Sequence, residues 1–318
     1  MNSAPTYLQL HRDGRLTKRA REALDLLQNC HVCPHCCGVN RIAGETGKCR
    51  TGRLAIVSSY GPHFGEESPL VGTHGSGTIF FTNCNLKCIF CQNYTISQLG
   101  EGAIVTKEGL AKIMLSLQKR GCHNINLVSP THVVPQILEA LEIAVNLGLR
   151  IPLVYNSGGY DAIETLKLLE GIIDIYMPDM KYFDDKAAER LSNVKNYPPI
   201  NQAAVKEMHR QVGDLRIDEK GIATRGLLIR HLVLPNGLAG TEGIAKFIAT
   251  EVSPDSYVNI MSQYHPCYKA FQVPELSRRI SREEFLQALE YAQKAGLNRL
   301  DRFCTPSSLR LSETMQSV

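Results

Sequence analysis

The stretch GSGTIFFTNCNLKCIFCQN, residues 75–93, joins a short apolar run to a group of three cysteines. The β-rich run 78–82 predicts a buried strand. It is followed at once by Cys84, Cys88 and Cys91 in a C-x3-C-x2-C arrangement. Three thiolates on one tight loop can bind three irons of a cubane 4Fe–4S cluster, which leaves the fourth iron open to a small molecule. We therefore predict a cluster-binding loop at the end of this strand.

The eleven cysteines of the chain fall into two groups and three isolated positions. Five lie between residues 30 and 49, three form the loop above, and Cys122, Cys267 and Cys304 stand alone. A secreted disulfide scaffold would spread its cysteines, whereas metal sites gather them. Structural zinc sites usually take four ligands from two knuckles, and no second knuckle follows the loop closely, which favours iron and sulfur over zinc there. The isolated cysteines are interpreted as small buried hydrophobic residues.

The overall composition indicates a globular protein. Of the 318 residues, 43% are hydrophobic and 21% are charged, which is typical of a packed core and not of a disordered chain. No apolar run approaches the roughly 20 residues that span a bilayer, and the N-terminus lacks the apolar segment of a secretion signal. The net charge of +4 is too small and too dispersed to indicate nucleic acid. We therefore expect a cytoplasmic protein that binds neither membranes nor nucleic acids.

From residue 76 onward, short β-rich runs alternate with helical stretches. Strands are predicted at 78–82, 124–128, 151–155, 172–177, 227–234 and 258–261, and helices at 106–120, 133–147, 161–170, 184–192 and 240–251. Ser281 and Glu284 form a capping box for a final helix. This alternation predicts a parallel sheet with βα crossovers. Six units are too few for a closed eight-stranded barrel, so we predict an α/β fold with a partial (βα)6 TIM-like barrel whose chemistry lies at the carboxyl ends of the strands.

The chain divides into three predicted regions. Residues 1–75 comprise an N-terminal helix at 15–29 and a Cys-rich metal-binding module, residues 76–265 form the barrel core, and residues 266–318 form a C-terminal helical segment. The segment up to about residue 75 shows no clear periodicity. We expect it to be rich in loops and to need a metal or the main domain to order it.

The N-terminal cysteines predict a second metal site. Their spacing favours Cys30, Cys33, Cys37 and Cys49 as ligands, in a C-x2-C-x3-C-x11-C arrangement that leaves Cys36 spare. Four thiolates fit tetrahedral zinc and an auxiliary iron–sulfur cluster equally well. The alternative is a group of thiols that packs the fold without a metal.

The cysteine loop and the strand pattern resemble those of the radical S-adenosylmethionine (SAM) enzymes, in particular the group similar to pyruvate formate-lyase-activating enzymes. The resemblance covers residues 76–265 and is most specific at 75–93, where Phe90 precedes the third cysteine as the family pattern expects. It implies that the cluster binds SAM and that one electron cleaves SAM to methionine and a 5′-deoxyadenosyl radical. That radical abstracts a hydrogen atom from the substrate, while the protein binds, orients and excludes competing reactions.

The resemblance also implies side chains at successive strand ends that contact SAM. After the second strand, the segment 129–132 replaces the family's Gly-Gly-Glu, and Thr131 there can accept from the SAM ammonium. After the third strand, Asn156 lies in a turn that resembles the Asp-Thr-Asn-Gly turn of the activating enzymes. After the fourth, Asp179 and Lys181 resemble their D-x-K element. The implied set is Phe90, Thr131, Asn156, Ser157, Asp179, Lys181, Arg230 in the fifth strand and His265 after the last.

The sequence therefore predicts a radical SAM enzyme, an oxidoreductase that needs a reducing electron donor of the flavodoxin or ferredoxin type. The resemblance implies an activating enzyme whose partner is a glycyl radical enzyme. One alternative is the modification of a small molecule or of another protein or peptide, which the altered segment 129–132 and the N-terminal cysteines favour. Another is a non-catalytic metal-binding scaffold that kept the fold. A shared fold and SAM site do not determine the substrate.

Overall fold

The computed structural model describes residues 4–301, in which ten strands form one sheet. They are β1 (Ala55–His63), β2 (Ser76–Phe81), β3 (Ala103–Val105), β4 (Ile125–Val128), β5 (Leu153–Ser157), β6 (Ile175–Pro178), β7 (Arg216–Ile217), β8 (Ala223–Leu232), β9 (Tyr257–Met261) and β10 (Arg299–Leu300). The strands β2, β4, β5, β6, β8 and β9 lie side by side in chain order and are all parallel. Because the edge strands β3 and β10 do not pair with each other within residues 4–301, the barrel is open. The prediction of a partial (βα)6 barrel is confirmed.

Helices connect the parallel strands and cover the outside of the sheet. They are α1 (Tyr7–Arg12), α2 (Arg15–Asp25), α3 (Ser68–Val71), α4 (Lys107–Lys119), α5 (Val134–Asn146), α6 (Ile163–Leu168), α7 (Asp185–Ser192), α8 (Tyr197–Val212), α9 (Thr241–Phe247) and α10 (Arg282–Lys294). Thr106 caps α4 by accepting from the N–H of Gly109, and the predicted capping box of Ser281 and Glu284 begins α10. Among residues 4–301, no helix has the length and apolar character needed to span a membrane.

Alternation along the strands separates two apolar layers. In β5, β6 and β8, Tyr155, Tyr176 and Ile229 belong to the large core beneath the helices. Their neighbours Val154, Ile175 and Leu228 point to the opposite side and pack in a separate inner cluster that includes Leu70 of α3. Since Leu70 is fully buried there, the short helix α3 fills one end of the barrel interior.

The segment before residue 75 contains more regular structure than the sequence indicates. The strand β1 pairs antiparallel with β2 and with β3, and α3 follows it. This strand escapes the pattern because only its first part is buried, while residues 58–63 are largely exposed and include Gly61 and Pro62. The regions 1–75, 76–265 and 266–318 remain a prediction; the last extends past the described residues, as does Cys304.

The N-terminal helices are fixed to the end of the barrel opposite the cysteine loop. The hydroxyl of Tyr7 donates to Ile151 O at 2.8 Å, and Thr6 N–H donates to the buried Asp174 carboxylate at 3.1 Å. Asp174 also accepts from Leu153 N–H at 3.1 Å. The strand β6 begins directly after Asp174, at residue 175, three residues later than the predicted start at 172.

Candidate active site

The three cysteines of residues 84–91 lie on the loop that leaves β2 at the carboxyl edge of the sheet. Each sulfur atom has a hydrogen-bonding neighbour. The contacts are Leu86 N–H to Cys84 Sγ at 3.4 Å, the Ser192 hydroxyl to Cys88 Sγ at 2.9 Å, and Cys91 Sγ with Ser97 Oγ at 3.1 Å. Donors that approach sulfur stabilise the thiolate form, which is the form that binds metal.

These donors fit an iron–sulfur cluster. All three sulfur-bearing residues line one cavity. In a 4Fe–4S cluster each thiolate binds its own iron, so the three sulfur atoms need not converge on a single ion. Burial, together with the neighbouring Cys88 thiol, raises the pKa of the Cys84 thiol to about 12, and a bound cation such as iron would favour its thiolate form.

The cavity opens between the cysteine loop and the carboxyl ends of four strands. Its volume is about 160 Å³. Five of the eight residues that the resemblance assigned to SAM line it together with the three cysteines: Asn156, Ser157, Asp179, Lys181 and Arg230. They come from β5, β8 and the residues just after β6, so the parallel register brings distant parts of the sequence to one place.

An ion-pair network connects the polar residues of this cavity. Asp179 accepts from Lys181 Nζ at 2.6 Å and from Arg230 Nε at 2.9 Å, and Arg230 Nη2 donates to Asn156 Oδ1 at 2.7 Å. Burial acts to raise the pKa of Asp179, but Arg230 and Lys181 outweigh burial and hold that pKa below its usual value. Asp179 also raises the pKa of Lys181 against the effect of burial. All three groups are therefore charged at neutral pH.

Comparison with known proteins decides the family. The sequence model of the radical SAM superfamily matches residues 78–236, which is half of the chain and runs from β2 past the end of β8. The chain belongs to the radical SAM superfamily. Membership implies a 4Fe–4S cluster and SAM as its cofactors, and a radical mechanism of SAM cleavage.

Two relatives come from Methanocaldococcus jannaschii. Uncharacterized protein MJ0674 is 36% identical over 301 residues, which cover 92% of this chain and 82% of the relative. Uncharacterized protein MJ0808 is 22% identical over 302 residues, which cover 86% of this chain and 84% of the relative. The similarity to both relatives extends well beyond the stretch that the superfamily model matches.

Two solved structures of larger proteins also align with the chain. HydG, a maturase of the FeFe-hydrogenase, aligns with a TM-score of 0.46 and 12% identity over 68% of this chain and 48% of HydG. Methylornithine synthase, PylB, aligns with a TM-score of 0.43 and 15% identity over 67% of this chain and 60% of PylB. This chain thus spans about half the length of the first and three fifths of the second.

Three of the residues that the resemblance assigned to SAM lie outside the cavity of this radical SAM protein. Thr131 is buried, and its hydroxyl donates to the Asp161 carboxylate at 2.6 Å. Phe90 packs edge-on between the rings of Tyr182 and Tyr264. His265 is half-buried. Its Nδ1 lies 3.2 Å from Nε2 of Gln92, the residue that follows the last cysteine of the loop.

Thr131 nevertheless supports the cavity wall through Asp161. This buried carboxylate accepts from the hydroxyls of Thr131, Tyr155 and Ser157, the last at 2.7 Å. Ser157 in turn accepts from Gly159 N–H at 3.1 Å. Gly159 has a positive φ of 74°, and a Cβ there would overlap the carbonyl oxygen of residue 179, so only glycine fits the turn.

Three polar residues around this site are not among those that the sequence pattern predicts. Ser129 lines the cavity in a left-handed conformation, with φ 57°. Glu66 and Glu67 are buried beside Arg230: Glu66 Oε2 is 3.9 Å from Arg230 Nη1, and Glu67 Oε1 is 4.0 Å from Arg230 Nε. No motif marks the two glutamates, because they precede α3, which the hydrophobic pattern does not predict.

The N-terminal module packs directly on the cysteine loop, residues 84–91, which is called the catalytic loop below. His35 Nε2 is 2.7 Å from Asn85 O, one residue after the first cluster cysteine. Arg50 donates to the Asn83 side chain at 3.1 Å. Burial lowers the pKa of Lys87, and the nearby thiols of Cys84 and Cys49 partly offset this effect. The two groups of cysteines are therefore neighbours in space.

Four of the five N-terminal cysteines lie near one another. Burial raises the pKa of the Cys33 thiol well above its usual range, and the nearby thiols of Cys49, Cys30 and Cys37 raise it further. Lys48 N–H donates to Cys37 Sγ at 3.4 Å. Cys36 is exposed. Within residues 4–301, however, no three His, Cys, Asp or Glu side chains are placed to hold one metal ion, so the second metal site stays a prediction.

Proposed function

We propose that this chain reductively cleaves SAM at a 4Fe–4S cluster held by Cys84, Cys88 and Cys91 and abstracts a hydrogen atom from a substrate in the barrel. The cavity that the three cysteines share with the ion-pair network carries this proposal. When bound, the cluster supplies the electron that cleaves SAM and releases the 5′-deoxyadenosyl radical. The side chains of the cavity bind and orient the two ligands and keep water away.

The charges of the cavity suit the zwitterionic end of SAM. Lys181 provides a cation for the SAM carboxylate, and Asp179 provides an anion for the SAM ammonium. Asn156 lies near the end of β5, the strand beside β6, and we assign it to the ribose hydroxyls of SAM. Arg230 holds Asp179 and Asn156 in place from below. We assign Phe90, Thr131 and His265 to the support of the loop and the cavity wall instead of to direct contacts with SAM.

The N-terminal module supplies a second metal site in this proposal. We assign Cys30, Cys33, Cys37 and Cys49 as its ligands, because the other three thiols lie close enough to Cys33 to raise its pKa. Zinc and an auxiliary iron–sulfur cluster both match four thiolates. Since the module contacts the catalytic loop through His35, its metal also orders that loop.

The reaction needs an external electron and a substrate. We propose a flavodoxin- or ferredoxin-type protein as the reductant. Activation of a glycyl radical enzyme is one form that the hydrogen abstraction can take. The segment 129–132 favours the other form, the modification of a small molecule or a different protein: Thr131 is occupied by Asp161 in this chain, where the activating enzymes carry a Gly-Gly-Glu motif.

Anaerobic reconstitution tests the function. The protein is loaded with iron and sulfide, reduced with dithionite and incubated with SAM, and 5′-deoxyadenosine is measured. We expect the nucleoside to form with the wild type and with Cys122→Ala, a buried cysteine outside the site, and not with Cys88→Ala. Equal amounts of 5′-deoxyadenosine from the wild type and from Cys88→Ala would refute the proposed activity and favour the alternative of a non-catalytic scaffold.

A further inference from the structure

Inside the barrel, a polar layer lies between the SAM cavity and the apolar plug of α3. Asn126 of β4 and Arg230 of β8 alternate with residues of the outer core, so they face the interior. Glu66 and Glu67 reach the same layer from the segment before α3 and lie within 4.0 Å of Arg230. Arg230 also lines the SAM cavity, so its guanidinium connects this polar layer with that cavity.

The hydrogen bonds of this layer are incomplete within residues 4–301. Glu67 is 4% exposed; its Oε1 accepts from Asn259 at 2.9 Å, but its Oε2 has no partner. Asn126 is fully buried, and neither atom of its amide has a partner within 3.5 Å, although the amide lies near enough to Glu66 to lower the pKa of that carboxyl. Buried polar atoms are nearly always paired, so an unpaired group here indicates a missing ligand or water.

The charges of the layer are also unbalanced. Three carboxylates, Glu66, Glu67 and Asp179, face two cations, Arg230 and Lys181, and both cations are already bonded to Asp179. Burial, together with Glu67 and Asp179, raises the pKa of Glu66 to about 7 against the opposing effects of Arg230 and Asn126. Glu66 therefore binds a proton more readily than an exposed glutamate does.

We propose that Glu66, Glu67 and Asn126 form a binding site for a primary ammonium group of the substrate. An ammonium has three N–H donors and one positive charge, which match the acceptors Glu66, Glu67 Oε2 and Asn126 Oδ1 and the one excess carboxylate. The site adjoins the cavity where the radical forms, so an amine anchored here places the rest of the substrate towards SAM. This inference rests on the proposed function, since it names the substrate class of the same barrel.

The test uses n-propylammonium chloride as the probe on the full chain, reconstituted anaerobically with its cluster and SAM. Saturating probe is expected to raise Tm by about 2 °C over the same concentration of KCl or tetramethylammonium chloride. Glu66→Gln and Glu67→Gln, which keep the side-chain shape, are expected to lose most of this rise. Glu164→Gln, a surface carboxylate, is expected to keep it.

Calorimetry provides an independent measurement at pH 6.5. If the ammonium replaces the proton on Glu66, probe binding releases a proton in the wild type but not in Glu66→Gln, and the binding enthalpy of the wild type alone depends on the buffer. Three results would overturn the proposal. An equal Tm rise with KCl would indicate a site for a metal cation, and an unchanged rise in both variants would indicate that the probe binds elsewhere. No rise in the wild type would indicate that buried water satisfies the unpaired groups. Both experiments measure equilibrium binding of the probe, so they test the ammonium site even if the protein does not cleave SAM. If the protein cleaves SAM but shows no preference for the ammonium probe, the ammonium site is refuted and the proposed function is not.

Discussion

Asp179 and Lys181 form the most sharply defined ion pair of the site, with Nζ 2.6 Å from Oδ2. Lys181→Met removes the cation that we assign to the SAM carboxylate and leaves Asp179 paired with Arg230. Loss of one charge-assisted contact costs about 1.5–3 kcal/mol, so SAM affinity should fall by about 10- to 100-fold. Equilibrium dialysis with labelled SAM measures the loss.

The control for this variant is Lys167→Met, a lysine on the exposed surface of α6. Its SAM affinity should equal that of the wild type. The absorbance and EPR spectrum of the cluster should be the same in both variants, because Lys181 is not a ligand of iron. A Lys181→Met protein that loses its cluster would contradict the assigned role.

Glu66 makes stability depend on pH in a direction that its burial determines. Its pKa is about 7 in the folded protein against 4.5 ordinarily, so the folded state binds the proton more tightly. This contribution to stability is fully present below about pH 4.5 and is lost as pH rises through 7. The Glu66→Gln variant has no carboxyl group to titrate at this position, so its stability does not contain this pH-dependent contribution. The free energy of unfolding of the variant, relative to the wild type, should therefore increase by a few kcal/mol at most from pH 5 to pH 8. Urea unfolding at the two pH values measures this, and a difference that is constant or decreases would refute the buried, proton-binding state of Glu66.

At the scale of elements, the four residues of α3 have an effect larger than their length indicates. Leu70 is fully buried against Val154, Met177 and Leu228 on the inner face of the sheet. Leu70→Ala should lower the free energy of unfolding by about 2–5 kcal/mol, because it leaves a cavity where the barrel interior is filled. Leu147→Ala, at a side chain that is 63% exposed, should change it by less than about 0.5 kcal/mol. Similar losses in the two variants, measured by chemical denaturation, would show that α3 does not fill the interior.

The elements also show what the sequence can predict and what it cannot. The parallel strands and α4, α5 and α10 are predictable because each carries a clear apolar period and, for α4 and α10, a capping residue. β1 and α3 are not, since β1 is mostly exposed and α3 is a single turn whose apolar residues are buried only by distant strands. The same reason explains which residues of the site could be predicted from the sequence. Asn156, Asp179 and Lys181 follow predicted strands, whereas Glu66 and Glu67 lie beside an element that only the tertiary structure creates.

At the scale of the whole molecule, the N-terminal module and the barrel are joined at the point where the chemistry takes place. Besides the contact of His35 with the catalytic loop, Arg41 is fully buried and donates to the carbonyl of His132 at 2.9 Å and to Gly52 O. His132 in turn contacts Thr82 O, just before the cluster cysteines, at 3.0 Å. Burial lowers the pKa of His132 to about 3, so its imidazole is neutral and acts as a structural link. The module therefore supports the catalytic loop from two directions.

This arrangement predicts that two metal sites load separately, although they are neighbours. The double variant Cys30→Ser/Cys33→Ser should lose the metal of the N-terminal site, because two of its four thiolate ligands are removed. Elemental analysis should then show either the loss of zinc or the loss of the iron of one cluster. The EPR signal of the cluster on Cys84, Cys88 and Cys91 should remain. Cys36→Ser is the matched control from the same segment, since Cys36 is exposed and is not among the assigned ligands, and its metal content should equal that of the wild type. Equal metal content in the double variant and the control would refute the second site. A double variant that also loses the catalytic signal would show instead that the cysteines bind one shared centre.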